Sequence, residues 1–347
     1  MSLYERVLRP LLFRLPADRA HDLAHLALRW PHPWWLLSRV APPAEPRLAT
    51  TLGGLTLSTP IGLAPGFDKN ADRLDSLATL GFGYLCVGSI TTLPRQGNPR
   101  PRLHRYPEQQ SLANCMGMPN DGLDAAVRRL RRPRRPGCPP VIASVAGFSA
   151  EELLHATAAI ESVVDAVEIG LRCRHTPETS RMSELDVFTP LAEGLPAVTR
   201  KPIFVKLPPH HDAEERALAL AMVDVCVRVG LAGVSVSGTR EVEEPRLSQG
   251  RGGLAGRATH QDALRIVRDV AERAEGRLAI KAAGGVFTGR DGLAMLRAGA
   301  AAVEVYSAFI YRGWDAPRLI ARELAQALDE EGIASLRDLA RPPAAVA

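Results

Sequence analysis

The 347-residue sequence contains few lysines, few cysteines and no long apolar run. Arginine therefore carries almost all of the net charge of +5, and the position of each lysine is informative. The five cysteines lack the paired short spacing of a disulfide framework or a zinc ribbon, so we expect a reducing cytoplasm and no bound metal. The lysines are Lys69, Lys201, Lys206 and Lys281.

No window of the sequence approaches the roughly 20 apolar residues of a membrane-spanning helix. The N-terminus also lacks the uninterrupted apolar core and small-residue cleavage site of a signal peptide. We therefore expect a cytoplasmic chain that does not cross a membrane. Its richness in Ala, Arg, Pro and Gly indicates coding bias. Because no aromatic-studded basic stripe occurs, we expect no nucleic-acid partner.

Two short amphipathic helices are predicted at the N-terminus, over residues 3–14 and 17–30. A cluster of proline, tryptophan and leucine follows at 31–37, and several prolines then indicate a stiff linker. We place a domain boundary near residue 45, which divides the chain into a helical hairpin (1–45) and a main domain (46–347). The hairpin either packs on the main domain or anchors it at a membrane surface.

Short apolar runs alternate with helical stretches from about residue 56 onward. The segments 69–80, 120–132, 212–229, 259–274 and 289–298 are long enough for crossover helices. Eight such units with fully apolar strands predict a parallel (β/α)8 barrel, or TIM barrel, with its active site at the C-terminal ends of the strands. The predicted strands are 60–64, 84–90, 141–146, 166–171, 203–207, 233–237, 278–282 and 301–307.

Polar side chains follow most of the predicted strands. Three of the four lysines lie at or just past a strand end. The loop from Glu168 to Pro177 places an acid, a thiol, an imidazole and two guanidiniums within ten residues, which makes it a candidate site for chemistry. The strand-end candidates are Asp68, Lys69, Ser89, Ser144, Glu168, Lys206, Ser237, Thr239, Lys281 and Ser307.

Glycine-rich turns lie beside the last predicted strands. Gly284 and Gly285 follow the seventh strand, Ser307 ends the eighth, and a glycine-rich loop at 252–256 follows the sixth. Backbone N–H groups at these ends of a barrel commonly hold a phosphate, because glycine permits close approach. Lys206 adds a cation that suits an anionic reduced flavin. Together these features favour a phosphorylated cofactor.

The sequence resembles the quinone-linked (class 2) dihydroorotate dehydrogenases, FMN-binding barrels of pyrimidine synthesis. The likeness runs nearly end to end, and its motifs occur in the right order. They are Phe13-Arg14-Leu15, Arg19-Ala20-His21, the segment from Gly62 to Lys69, Pro101-Arg102-Leu103, the segment from Asn114 to Asn120, Gly252 to Gly256, and Tyr306-Ser307.

The resemblance implies an FMN oxidoreductase with a small-molecule substrate and a quinone acceptor. It implies that the hairpin contacts the inner face of the cell membrane and admits the quinone, with His21 near that tunnel. Around the substrate it implies Lys69, Asn114, Met118, Glu168, Ser237 and Thr239. Around FMN it implies Ala64, Gly66, Ser89, Ser144, Lys206, Ser237, Gly253, Gly284, Gly285, Tyr306 and Ser307.

The sequence departs from the family where substrate is handled. The family's fourth-strand loop reads Asn-Ile-Ser-Ser-Pro-Asn-Thr-Pro, and its second Ser is the base. We expect Glu168 in place of the first Asn, with a two-residue insertion that puts Cys173 at the base position and His175 at the second Asn. Two further amides are replaced, one by Gly238 and one by Ser144, so tight orotate binding is not assured.

Three functional hypotheses follow. The first is base-assisted hydride transfer to FMN from a small molecule other than dihydroorotate. The second is a genuine dihydroorotate dehydrogenase with Cys173 as base, and the third is a non-catalytic flavoprotein. In the first hypothesis the base is either Cys173 or His175. The charges of Arg172 and Arg174 would favour the thiolate of Cys173, whereas His175 is neutral near pH 7 and can accept a proton directly. Lys69 is the third catalytic candidate.

Glu168 is central to the substrate prediction. A carboxylate only accepts hydrogen bonds and carries negative charge, so at the substrate it would repel the dihydroorotate anion. The alternative is that Glu168 pairs with Arg172 or Arg174 and does not contact the ligand.

Overall fold

A computed structural model describes residues 2–39, 45–171 and 182–339. Eight parallel strands close into a barrel in the order β3-β4-β7-β8-β9-β10-β13-β14, which confirms the predicted (β/α)8 fold. Each predicted strand matches one of these eight. The strands of the chain are β1 Thr50–Leu52, β2 Leu55–Leu57, β3 Ile61–Leu63, β4 Tyr84–Ile90, β5 Leu103–Tyr106, β6 Ser111–Asn114, β7 Val141–Ala146, β8 Ala166–Gly170, β9 Ile203–Lys206, β10 Gly233–Ser237, β11 Arg240–Glu243, β12 Arg251–Gly256, β13 Ala279–Ala283 and β14 Ala302–Val305.

Helices connect the barrel strands and cover the outside of the barrel. The segment 213–229 shows why they begin and end where they do: the side chain of Asp212 accepts a hydrogen bond from the N–H of Glu215, and Gly230 ends the helix in the left-handed conformation. The α-helices are α1 Arg9–Leu12, α2 Ala17–Ala27, α3 Pro31–Arg39, α4 Leu74–Leu77, α5 Leu123–Leu130, α6 Ala150–Ile160, α7 Leu185–Val198, α8 Ala213–Val229, α9 His260–Ala274, α10 Gly289–Arg297, α11 Ser307–Arg312, α12 Ala316–Glu330 and α13 Leu336–Leu339.

Helix α4 is much shorter than the predicted helix at 69–80. The buried carboxylate of Asp68 accepts hydrogen bonds from the backbone N–H groups of Asp72 and Arg73, each at 3.1 Å. This turn occupies the first part of the predicted segment, so the helix begins only at Leu74.

A four-stranded antiparallel sheet, β11-β12-β6-β5, stands beside the barrel and was not predicted. The segment 252–256, predicted as a loop, is part of strand β12. Packing requires a glycine at 252, since a Cβ at Gly252 would lie 2.7 Å from the carbonyl oxygen of Asn114 on β6. The small hairpin β1–β2 buries Leu52 and Leu57 against the opposite, lower end of the barrel.

The N-terminal helices pack on the barrel through one face. The hydroxyl of Tyr4 donates to the carbonyl of Ile310 at 2.6 Å, and the Phe13 ring lies 5.2 Å from Tyr311. Their other face is apolar and open: Trp30 is 68% exposed. Both alternatives for the hairpin therefore remain compatible with its structure. Within the three described ranges, no helix is long and apolar enough to span a bilayer.

Candidate active site

A cavity of about 320 Å³ opens at the C-terminal ends of the barrel strands, where barrels of this type hold their active sites. Its size lies within the range of ligand sites. It brings together residues that are far apart in the sequence, because neighbouring parallel strands end at the same rim. The predicted site residues that line it are Ala64, Gly66, Lys69, Ser89, Asn114, Met118, Lys206, Ser237, Thr239, Gly253, Gly284, Gly285, Tyr306 and Ser307.

One wall of the cavity is bare backbone at Gly284 and Gly285. Both residues have positive φ angles, +142° and +64°. A Cβ at Gly284 would lie 2.5 Å from the Cβ of Ala263, and one at Gly285 would lie 2.8 Å from the Cβ of His260. The turn after β13 therefore approaches the start of α9 too closely for any residue but glycine.

Lys69 and Asn114, predicted to lie near the substrate, both line the cavity. The ammonium of Lys69 donates to the carbonyl of Gly66 at 2.5 Å. Burial, reinforced by the charge of Arg102, lowers the pKa of Lys69 to about 8, and Asp68 opposes this shift. The amide of Asn114 donates to the carbonyl of Gly253 at 3.3 Å. A cation and a polar amide thus face the same cavity.

The position of Glu168 corrects its predicted role. Its side chain is fully buried inside the barrel, does not line the cavity, and accepts hydrogen bonds from the Lys281 ammonium at 2.8 Å and the Ser235 hydroxyl at 2.6 Å. Lys281 also lies 2.9 Å from Glu304. The predicted contact between Glu168 and the substrate is wrong. The partner of the carboxylate is Lys281, whereas the sequence predicted only Arg172 and Arg174 as partners.

Electrostatics keep Glu168 ionised. Burial acts to raise its pKa, but the charges of Lys281 and Lys206 and the hydrogen bonds that it accepts lower the pKa to about 2. Burial acts to lower the pKa of Lys281, but the surrounding acidic groups, Cys86 and Glu168 first, raise it well above the usual value.

Cys86, Glu168 and Glu304 are close enough together to hold a metal ion. The ammonium of Lys281 contacts all three and already supplies the positive charge there.

Ser144 also lies behind the cavity wall rather than in it. It is fully buried, and its hydroxyl lies 3.1 Å from the hydroxyl of Ser89, which does line the cavity. The prediction that Ser144 contacts the cofactor directly is therefore corrected: Ser144 positions Ser89.

The sequence profile described as dihydroorotate dehydrogenase matches residues 47–328. The chain belongs to the dihydroorotate dehydrogenase family. A quinone-type dihydroorotate dehydrogenase of Methylococcus capsulatus is 35% identical over 351 residues, with 92% of this chain and 97% of the relative covered. Another, from Thermus thermophilus, is 36% identical over 344 residues, with 95% and 99% covered.

A solved dihydroorotate dehydrogenase has the same fold. The Eimeria tenella enzyme in complex with ferulenol superposes with a TM-score of 0.82 at 26% sequence identity, covering 96% of this chain and 99% of that chain. The predicted membership in the family is thereby confirmed. The chain is a dihydroorotate dehydrogenase-like FMN oxidoreductase.

The cavity fits FMN, the cofactor of dihydroorotate dehydrogenases. The bare backbone at Gly284 and Gly285 and the hydroxyl of Ser307 offer donors to a phosphate, and the ammonium of Lys206 faces the same space. Tyr306 closes one side, its hydroxyl donating to the carbonyl of Gly66 at 3.3 Å. These groups supply the donors and the positive charge that a flavin nucleotide requires.

The end of β8 changes the alignment with the family loop. The strand ends at Gly170, and Gly170 lines the cavity, whereas Glu168 lies deeper on the strand. The pattern Asn-Ile-Ser-Ser-Pro-Asn-Thr-Pro then fits the eight residues from Gly170 to Pro177 with no insertion. In this alignment Gly170 takes the place of the first Asn, Cys173 that of the second Ser and His175 that of the second Asn. Cys173 and His175 lie outside the described residues.

His21 lies beside the cavity without lining it. Its ring is 4.3 Å from the ring of His25, which stacks on Phe67 at 5.0 Å. Burial, with the charge of Lys69, lowers the pKa of His21 well below its usual value. The hairpin therefore contributes a neutral imidazole pair close to Lys69.

The cavity residues that the sequence did not single out include Gly170 and Glu304. An acidic residue inside the apolar run of β14 was a visible signal for Glu304. Only the end of strand β8, which the sequence does not mark, identifies Gly170.

Proposed function

We propose that this enzyme oxidises dihydroorotate to orotate, with FMN as cofactor and a quinone as final acceptor. The observation that carries the proposal is a single cavity lined by Lys69, Asn114, Lys206 and the bare backbone at Gly284 and Gly285. The quinone-type relatives at 33–36% identity, which match over most of the chain, support the same reaction.

The residues of the chain have separate tasks in this reaction. Lys69 binds the carboxylate of the substrate through its ammonium. Cys173, as the thiolate, takes a proton from a ring carbon, and the adjacent Arg172 and Arg174 in the sequence favour that thiolate. Bound FMN supplies the hydride acceptor. Met118 and Tyr306 help to enclose the cavity around the reacting atoms.

A second candidate is the same chemistry on another small anion. The amides expected around a pyrimidine ring are replaced by Gly170, Ser144 and Gly238. Gly238 leaves no room for a side chain, since its Cβ would lie 2.4 Å from the carbonyl oxygen of Thr259. Unpaired polar groups on dihydroorotate would weaken its binding. This observation favours a substrate with fewer ring polar groups.

We further propose that residues 1–45 form a separate quinone-access domain at the membrane surface. The exposed apolar face that includes Trp30 and Leu36, 68% and 64% exposed, supports this role. The neutral pair His21 and His25 belongs to that domain and lies close to Lys69. The main domain from residue 46 holds the cofactor.

Anaerobic addition of dihydroorotate to the FMN-loaded protein tests the first candidate directly. Bleaching of the flavin, and turnover with a soluble quinone analogue, are expected. If the flavin does not bleach, dihydroorotate is not the substrate. Gly170→Asn then restores one amide. Gly170→Ala is the matched control, because both variants place a Cβ 3.2 Å from the carbonyl oxygen of Val145. A gain with Asn but not Ala would support the second candidate.

A further inference from the structure

A charged network lies inside the barrel below the cavity and has no task in the proposed reaction. Lys281 of β13 contacts Glu168 of β8 at 2.8 Å and Glu304 of β14 at 2.9 Å. The hydroxyl of Ser235 donates to Glu168 at 2.6 Å, and none of these four residues is more than 4% exposed. Apolar residues of similar volume would fill this space at less cost in desolvation. Packing alone therefore does not account for the network.

Glu304 is the member of the network that reaches the cavity. It pairs in register with Ala283 on β13, and both residues line the cavity. Lys281 lies two residues before Ala283 and therefore one layer deeper in the barrel, and neither Lys281 nor Glu168 lines the cavity. The carboxylate of Glu304 thus connects the buried charges to the cofactor space.

The charge on Glu304 depends on several neighbours. Burial raises its pKa, the charge of Glu168 adds to this, and the charges of Lys281 and Lys206 oppose it. Burial also raises the pKa values of Tyr84 and Cys86 well above their usual values. The titratable groups that face Glu304 are Lys281 from β13, Glu168 from β8, Lys206 from β9, and Tyr84 and Cys86 from β4.

We propose that Glu304 is a tuning residue for the flavin: its ionised carboxylate, held by Lys281 in the cavity floor, lowers the reduction potential of bound FMN. A fixed negative charge in a low-dielectric site disfavours the addition of electrons nearby. The inference rests on FMN binding in the proposed function and does not depend on which substrate is oxidised.

The test compares the wild type with Glu304→Gln, which keeps the shape and removes the charge. Each protein is loaded with FMN, and its midpoint potential is measured by dye equilibration from pH 5.5 to 9. At the high-pH end Glu304→Gln should have the higher potential, and the two curves should converge as falling pH protonates Glu304 in the wild type. Glu244→Gln is the control, because Glu244 is 2% exposed and ion-paired with Arg246 but does not line the cavity.

A second variant keeps the test decisive if Glu304→Gln does not fold. Glu168→Gln removes the neighbouring negative charge, which should lower the pKa of Glu304 and shift the pH dependence of the potential to lower pH. Potential curves that coincide with the wild type in either FMN-loaded variant would overturn the tuning role. Failure of the wild type itself to retain FMN would instead overturn the flavin site.

Discussion

The ammonium of Lys281 lies 2.8 Å from the carboxylate of Glu168 in the fully buried interior of the barrel. This pair takes Glu168 out of the substrate site. It also makes the stability of the barrel depend on one lysine, because Lys281 is the only described cation hydrogen-bonded to either Glu168 or Glu304.

We expect Lys281→Met to destabilise the protein by about 3–5 kcal/mol, since it leaves two buried carboxylates without their counter-ion. Urea unfolding followed by circular dichroism measures the loss. The triple variant, in which Glu168→Gln and Glu304→Gln are added to Lys281→Met, should recover part of it. A single variant as stable as the wild type would contradict the pairing.

The contribution of Glu168 should depend on pH with a defined sign. Its folded pKa of about 2 is below the ordinary value of 4.5, so its ion pair stabilises the fold fully above pH 4.5. That stability is lost as the pH falls from about 4.5 towards 2. The difference in free energy of unfolding between wild type and Glu168→Gln should therefore shrink over this window. A constant difference would contradict the depressed pKa.

The fold was predictable because the eight barrel strands are mostly apolar and separated by helix-length segments. The sheet beside the barrel was not predictable, since strand β12 reads as a glycine-rich loop until its pairing with β6 is known. The cavity residues followed from strand ends. The error at Glu168 was one of depth: Glu168 and Gly170 are two residues apart on one face of β8, and only the barrel shows which of them reaches the rim.

We expect Gly285→Ala to reduce FMN retention at least tenfold. The new Cβ would lie 2.8 Å from the Cβ of His260 and 2.9 Å from the carbonyl oxygen of Gly256, so the turn must move away from α9. Gly230→Ala is the matched control: its φ of +75° is similarly strained, but nothing lies within 4 Å of its Cβ. Fluorescence titration of the apoproteins with FMN measures both. Equal affinities would show that the turn does not shape the site.

The exposed face of the hairpin should bind membranes. Trp30→Ser with Leu36→Ser removes two exposed apolar side chains, and we expect weaker sedimentation with lipid vesicles and unchanged FMN content. Leu93→Ser is the control, since Leu93 is 74% exposed on the main domain. Loss of vesicle binding in the control alone would place the membrane contact elsewhere.

The realigned loop predicts that Cys173 is the base. Cys173→Ala should lower turnover by about 10²–10⁴-fold without loss of FMN, while Cys173→Ser should retain a larger part of the activity because the family uses a hydroxyl there. His175→Ala is the comparison. A larger loss in His175→Ala than in Cys173→Ala would assign the base to the imidazole instead.

The last prediction concerns Lys69, whose pKa is lowered to about 8, chiefly by burial. Below pH 8 the side chain is charged and attracts an anionic substrate; above pH 8 it loses the proton and the attraction. The KM for the substrate should therefore rise as the pH increases through 8, while kcat changes less. Lys69→Met should have a high KM at all pH values and no such transition. Steady-state kinetics between pH 6 and 9.5 measure this, and a transition that persists in Lys69→Met would assign it to another group.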